Sequence, residues 1–247
     1  MSCRLYRDEQ GRADGAPSVE ALRAALVGPT ECCGDDVLDP IGRAGRGRRA
    51  PAERGLRAVH QAVLRHFAAT GSAAAAVDLE AVANEAGRTA ADVLAELDTE
   101  DFLALDAQGE VRAAYPFSAF QTRHRVRLGG GVEVWSMCAI DALGVARMLG
   151  QDVLVTSSDP VNGHAVTVSL TGGRARWEPA SAVVFVGRRP GRGPAADVCC
   201  DALNFFADRS TAETWAVRHP EVTGRIISHA EAVALGTQTF GPLLHED

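Results

Sequence analysis

Arg123-His124-Arg125-Val126-Arg127-Leu128, Gly129-Gly130-Gly131, Val132-Glu133-Val134-Trp135 and Cys138-Ala139-Ile140-Asp141-Ala142-Leu143-Gly144-Val145-Ala146-Arg147-Met148-Leu149 follow one another almost without interruption. The first run alternates polar and apolar side chains, the glycines permit a reversal, and the third run alternates again, which is the pattern of a hairpin. The last run is apolar on almost every face, as a helix enclosed by other elements must be. Downstream, Asp152 to Thr156, His164 to Leu170, Arg174 to Trp177 and Ala182 to Val186 read as strands separated by Pro160, Asn162-Gly163 and Gly172-Gly173. The gaps are too short for crossover helices, so the sheet is expected to be antiparallel. Two capping boxes, Ser210 to Glu213 and Ser228 to Glu231, open helices that flank it.

Upstream, Leu56, Val59, Val63 and Phe67 fall on one helical face that ends at Gly71. A second helix is expected from Leu79 to Ala86, started by Asp78, and a third behind the N-cap Thr89 with Val93, Leu94 and Leu97 inward. Two short strands about Ala107-Gln108-Gly109 follow, so three helices and a hairpin give a winged-helix-like arrangement. The class is therefore α+β: a winged-helix-like three-helix N-terminal part, then a mainly antiparallel-sheet core with flanking helices. Residues 1–52 read as an extension, with one short helix from Ser18 to Leu26 and a Gly/Arg-rich linker, Gly42 to Arg49, unable to bury apolar area. Residues 53–127 form the winged-helix-like domain and 128–247 the core domain.

A winged helix often reads DNA, but its recognition helix then carries positive charge. Ala90 to Asp101 holds five acids and no Arg. The chain has 247 residues, 46% hydrophobic, a formal charge of −7 and Arg as its only cationic side chain besides His. No nucleic-acid or membrane partner is expected from that balance. The start lacks the apolar run of a signal peptide, and no later run is long enough to span a bilayer, so the expected location is the cytoplasm.

Six cysteines stand at 3, 32, 33, 138, 199 and 200. In a reducing compartment such unevenly placed thiols suggest metal binding, catalysis or plain packing rather than disulfides. Ser136 is the expected N-cap of the buried helix, placing Cys138 in its first turn, where free amides favour a thiolate. Asp141 lies one turn on, on the same face. Burial and a neighbouring thiolate should both raise its pKa and leave it a proton to give. The plainer readings are that Cys138 packs as a small hydrophobe and that Asp141 has a structural partner. Asp197-Val198-Cys199-Cys200-Asp201 supplies further thiols. With no Cys-x-x-Cys knuckle, Cys138, Asp141, Cys199 and Cys200 suit a soft, low-coordinate ion better than structural zinc. Cys32 and Cys33 could collect such an ion and pass it inward, or be exposed thiols of a tail.

Trp135-Ser136-Met137-Cys138-Ala139-Ile140-Asp141-Ala142-Leu143, with Val198-Cys199-Cys200 and Phe205-Phe206-Ala207 downstream, resembles the organomercurial (alkylmercury) lyases. The likeness extends from about residue 55 to the end, through Thr211-Ala212-Glu213-Thr214-Trp215 and His229-Ala230-Glu231-Ala232. It implies cleavage of a carbon–mercury bond by protonolysis, giving a hydrocarbon and mercury(II). By that likeness Cys138 and Cys199 are the two mercury-binding thiols, Asp141 is the proton donor, and Cys200 is adjacent but less essential. No cofactor is implied; external thiols, a mercuric reductase or another thiol acceptor would take the product. Two positions depart from the pattern: Asp159 aligns with a further cysteine of the family, and Met137 stands where an aromatic residue can precede the catalytic cysteine. Two rival readings are a metal-sensing winged-helix regulator and a lyase-like protein that only sequesters thiophilic metal.

Overall fold

The computed structural model describes residues 47–190 and 194–245. The expected helix from Ser18 to Leu26 and the pair Cys32 and Cys33 lie outside the described residues.

Three helices come first, α1 (Leu56–Thr70), α2 (Ala76–Asn84) and α3 (Ala90–Thr99). α1 turns Leu56, Val59, Val63, Leu64 and Phe67 inward, each contributing about 1.5–3 kcal/mol by leaving water. It stops at Gly71, whose φ of 81° suits glycine. α2 starts earlier than the sequence suggests. Asp78 is not its cap but lies one turn inside, where its carboxylate accepts from Ala75 N at 3.1 Å. Thr89 caps α3 through Asp92 N at 3.2 Å.

Strands β1 (Leu103–Leu105), β2 (Val111–Ala114), β3 (Phe117–Ser118), β4 (His124–Leu128), β5 (Glu133–Ser136), β6 (Val153–Ser158), β7 (Ala165–Thr171) and β8 (Arg174–Glu178) form one sheet in the order β1-β2-β3-β5-β4-β6-β7-β8. Every pairing is antiparallel. The hairpin β4–β5 pairs Val126 with Val134, turning both inward while Arg125 and Arg127 stay exposed. The sheet runs unbroken across the border drawn at 127–128, which falls inside this hairpin.

The strand expected at Ala182 to Val186 belongs elsewhere. β9 (Val183–Arg188) is the centre of a second sheet, between β10 (Asn204–Phe206) and β11 (Thr223–Ile227). β10 and β11 are not among the strands expected above, because Asn204-Phe205-Phe206 is too short to alternate visibly and β11 contains Gly224 and Arg225. α4 (Ala139–Leu149) follows β5; a short α5 (Ala195–Val198), α6 (Arg209–Arg218) and α7 (His229–Phe240) come later. α6 is capped by Asp208 rather than Ser210, through Thr211 N at 2.9 Å. Ser228 and Glu231 do form the capping box of α7.

α4 sits against α7 at close range. A Cβ on Gly144 would lie 2.5 Å from Phe240 Cδ2 and 2.7 Å from Gly236 O. Two facing glycines thus let the helix backbones approach, which fixes the depth of α4. His229 stacks on Trp177 at 4.1 Å and its Nε2 lies 2.6 Å from Ala182 O, a packing role at the start of α7. Asp159 is buried and accepts from Val161 N (2.8 Å), Ala207 N (2.9 Å) and Thr211 Oγ1 (2.6 Å). It ties the β6–β7 turn to the chain after β10. No helix among the described residues is long and apolar enough to cross a membrane.

Candidate active site

Cys138 itself, not Ser136, is the N-cap of α4, with φ −151° and ψ 179°. Its Sγ accepts from Asp141 N at 3.4 Å. Ser136 is instead the last residue of β5, fully buried and paired with Phe117 and His124. A cap residue is extended while the next is helical, so the side chain at this step turns back over the first turn of its own helix. That geometry brings the Cys138 thiol and the Asp141 carboxyl together.

The second thiol comes from the far end of the chain. Ala139 N donates to Leu203 O at 3.0 Å, tying the start of α4 to the turn Cys200–Ala202. Cys200 lies within hydrogen-bonding reach of Cys138, and the two thiols and Asp141 line one small cavity with Arg48, Tyr115 and Phe240. Cys199 is equally buried but lines neither this cavity nor the one beside it. Cys200 is thus a thiol that meets Cys138 in this cavity, directly beside the expected partner Cys199. Of the expected centre Cys138, Asp141, Cys199 and Cys200, the first, second and fourth line this cavity. Among the described residues no three His, Cys, Asp or Glu side chains are arranged to hold a metal ion.

Burial dominates the electrostatics. It raises the Cys138 thiol well above its ordinary range, and the thiol's contacts with Cys200 and Asp141 act in the same direction. The thiolate expected from the helix terminus is thus a thiol at rest, because desolvation outweighs the amide dipoles. Burial also pushes Asp141 up to about 7, opposed by its hydrogen bond with Cys138 and by the positive charge of Arg48. A carboxyl near 7 can both accept and return a proton at neutral pH.

Sequence reading assigned Arg48 to a solvated linker. In the structure it is 2% exposed. Its guanidinium lies 3.9 Å over the Tyr115 ring, donates to Asp101 O and pairs with Asp101 Oδ2 at 3.2 Å. Stacking and an ion pair satisfy a buried guanidinium that composition alone counts as solvent-seeking. Asp101 and Tyr115 were likewise missed, one as the end of an acidic helix and the other as the end of a short strand. The Tyr115 hydroxyl donates to Asp101 Oδ1 (3.1 Å) and accepts from Ala196 N (2.9 Å), while Ala195 N donates to Asp101 Oδ1 (3.2 Å). These bonds hold the first amides of α5, the turn that leads into Cys200. Arg112 adds a strut to Asp197 at 2.9 Å.

Tyr115→Phe keeps the ring beneath Arg48 and removes the hydroxyl, leaving Ala196 N unmatched. The expected cost is about 1–2 kcal/mol, seen in the denaturant midpoint. Cys200 should be alkylated several-fold faster, by order of magnitude of that loss, with Cys138 unchanged. Equal labelling of Cys200 in parent and variant would show that the clamp does not hold this turn.

A family model described as MerB, alkylmercury lyase, matches residues 117–241. The alkylmercury lyase of Staphylococcus epidermidis is 30% identical over 148 residues, which are 59% of this chain and 67% of that protein. That of Streptomyces lividans is 26% identical over 172 residues, 69% of this chain and 78% of that protein. Among solved structures, the mercury-bound form of MerB2 superposes with a TM-score of 0.61 at 21% identity, covering 78% of this chain and 100% of that one. This last likeness is one of fold.

Proposed function

The chain belongs to the alkylmercury lyase family, and from that premise we propose that it cleaves carbon–mercury bonds by protonolysis, with Cys138 and one thiol of the adjacent pair, Cys199 by the family motif or Cys200 beside it, taking the mercury and Asp141 delivering the proton. The observation that carries this reading is the meeting of two buried thiols and a carboxyl with a pKa of about 7 on one cavity wall.

A carbon bound to mercury leaves poorly unless it is protonated as it departs. Thiolate sulfur on mercury pushes electron density toward that carbon and makes it more basic. As Cys138 sulfur displaces the counter-ligand of R–Hg–X, its proton passes to the ionised fraction of Asp141. The second thiol then binds the same mercury and loses its own proton to the departing X⁻ or to water. Asp141, protonated and one helical turn away, gives its proton to carbon. The carbon–mercury bond breaks, RH leaves, and mercury(II) stays between two sulfurs. The sum is R–Hg–X plus two thiols giving RH, HX and a dithiolate of mercury(II), with Asp141 returned to its starting state. Positioning the acid beside the carbon replaces a bimolecular encounter by a local one. No cofactor is required by this chemistry. Both thiols must start reduced, which fits the cytoplasm, and the product departs only to other thiols, whether small molecules or a reductase.

Purified protein given an organomercurial and excess thiol is expected to release one hydrocarbon molecule per mercury, measured by gas chromatography. Tight mercury binding with no hydrocarbon would replace cleavage by sequestration.

A further inference from the structure

The cavity lined by Cys138 and Asp141 offers only about 10 Å³ to the centre of a water, roughly the room for one such molecule. It can admit a mercury atom but not the organic group that the atom carries. A second, outer cavity of about 490 Å³ adjoins it, with Cys200 on the wall of both. That volume is in the range of a small-molecule site, roughly 300–1,000 Å³. Met137, the residue before Cys138, lines the outer cavity, so consecutive side chains at the start of α4 serve the two spaces.

Met137, Val161 and Trp215 give the outer wall apolar surface, and the unbranched Met137 can adapt to the shape of what lies on it. Met137 is also one of the positions at which the chain departs from the family pattern. The same wall carries Arg123, Arg189 and Arg218. Its carboxylate, Asp201, is bonded to Arg189 Nε at 2.8 Å, and Arg189 also pairs with Glu221 at 2.5 Å. His219 lies 3.4 Å from the same Glu221, and His124 adds no charge, since burial lowers its pKa to about 3. Among the described residues neither Arg123 nor Arg218 forms an ion pair. A chain of net charge −7 thus keeps two guanidinium groups without carboxylate partners around this cavity.

We propose that the outer cavity seats the organic group of the substrate and selects organomercurials in which that group carries a carboxylate, held by Arg123 and Arg218. The inference rests on Cys138 as a mercury-binding thiol and is the same whichever of Cys199 and Cys200 supplies the second sulfur. Mercury on Cys138 occupies the inner cavity, its organic group lies over Met137, and an acidic substituent meets the two guanidinium groups. Guanidinium recognises carboxylate by charge and paired hydrogen bonds, and a positive mouth raises the arrival rate of anions. An aromatic ring suits the surface made by Met137 and Trp215, so the substrate class is the arylmercury carboxylates.

The test gives full-length protein three arylmercury chlorides that carry a para carboxylate, carboxamide or aminomethyl group. Uptake is followed by intrinsic fluorescence, since Trp215 lines the cavity, and cleavage by the arene released. At low salt the second-order uptake rate of the carboxylate compound should exceed that of the carboxamide about tenfold, with the aminomethyl compound slowest. The double variant Arg123→Gln/Arg218→Gln should bring the three rates together. Each ratio is compared between parent and variant, so that the electronic effects of the substituents themselves cancel. Raising sodium nitrate from about 0.01 M to about 0.1 M shortens the screening length from about 30 Å to about 10 Å and should shrink the preference. Arg209→Gln, an exposed arginine outside this wall, should leave it intact. Equal rates in the parent, a preference that survives the double variant, or one that follows an acidic thiolate counter-ligand on phenylmercury instead of the organic group would each overturn the proposal. Uptake needs no cleavage. Fastest uptake of the acidic compound without arene keeps this inference while the lyase reading fails, and arene release at equal uptake rates does the reverse.

Discussion

Cys138→Ser is expected to lower carbon–mercury cleavage by about a hundredfold or more, and of Cys199→Ser and Cys200→Ser one should fall as far while the other stays within about threefold of the parent, by the usual scale for a buried residue outside the reacting groups. The two residues are neighbours and both nearly inaccessible, so burial does not separate them. Cys200 reaches Cys138 and lines the cavity with Asp141, whereas the family motif gives the second thiol to Cys199. A hydroxyl in place of the second mercury-bound sulfur offers a hard oxygen, and the second push of electron density toward carbon is lost. Single-turnover hydrocarbon release from both variants, alongside Cys138→Ser as the inactive reference, makes the comparison. Loss of activity in Cys199→Ser with a normal Cys200→Ser would uphold the assignment drawn from the family motif.

Asp141→Asn should have two large effects of opposite sign. The variant should still take up mercury at both thiols but release hydrocarbon about a hundredfold or more slowly, the usual scale for losing a positioned acid. It should also be the more stable protein above neutral pH. Burial raises the Asp141 pKa from 3.8 to about 7. Between those values the folded chain keeps a proton that the unfolded chain gives up, so the parent loses stability as pH rises from about 4 to about 7 and then levels off. That span corresponds to about 4 kcal/mol at most. Asparagine carries no such proton, so the variant's advantage should be absent near pH 4, grow through pH 7 and hold at pH 8. Denaturant melts at pH 4.5 and pH 8 test this directly. Parallel behaviour of parent and variant would mean that Asp141 is not held neutral by its surroundings.

Both expectations combine motif and fold in unequal shares. The alternation in Arg123 to Leu128 and Val132 to Trp135, the apolar run of α4 and the capping residues Thr89 and Ser228 were legible in the chain, because they depend on spacing along it. So was the pairing of Cys138 with Asp141, one helical turn apart. The cap of α4 was misplaced by two residues, since Ser is the commoner cap and nothing local says that Ser136 ends a strand. β10 escaped notice because three apolar residues have no period to read. Its neighbour β9 was seen but set in the wrong sheet, because pairing partners are chosen by the tertiary fold.

By itself, then, the sequence determined the α+β class, the main helices and hairpins, the family and the nearness of Asp141 to Cys138. All of these follow from periodicities or motifs carried along the backbone. Only the tertiary structure decided that Cys200 meets Cys138 in one cavity, and that Arg48, Asp101 and Tyr115 brace the turn bearing it. It also decided that Cys138 rests as a thiol. Those outcomes depend on which side chain faces inward and how much water is excluded, and both are set by segments brought together from distant parts of the chain.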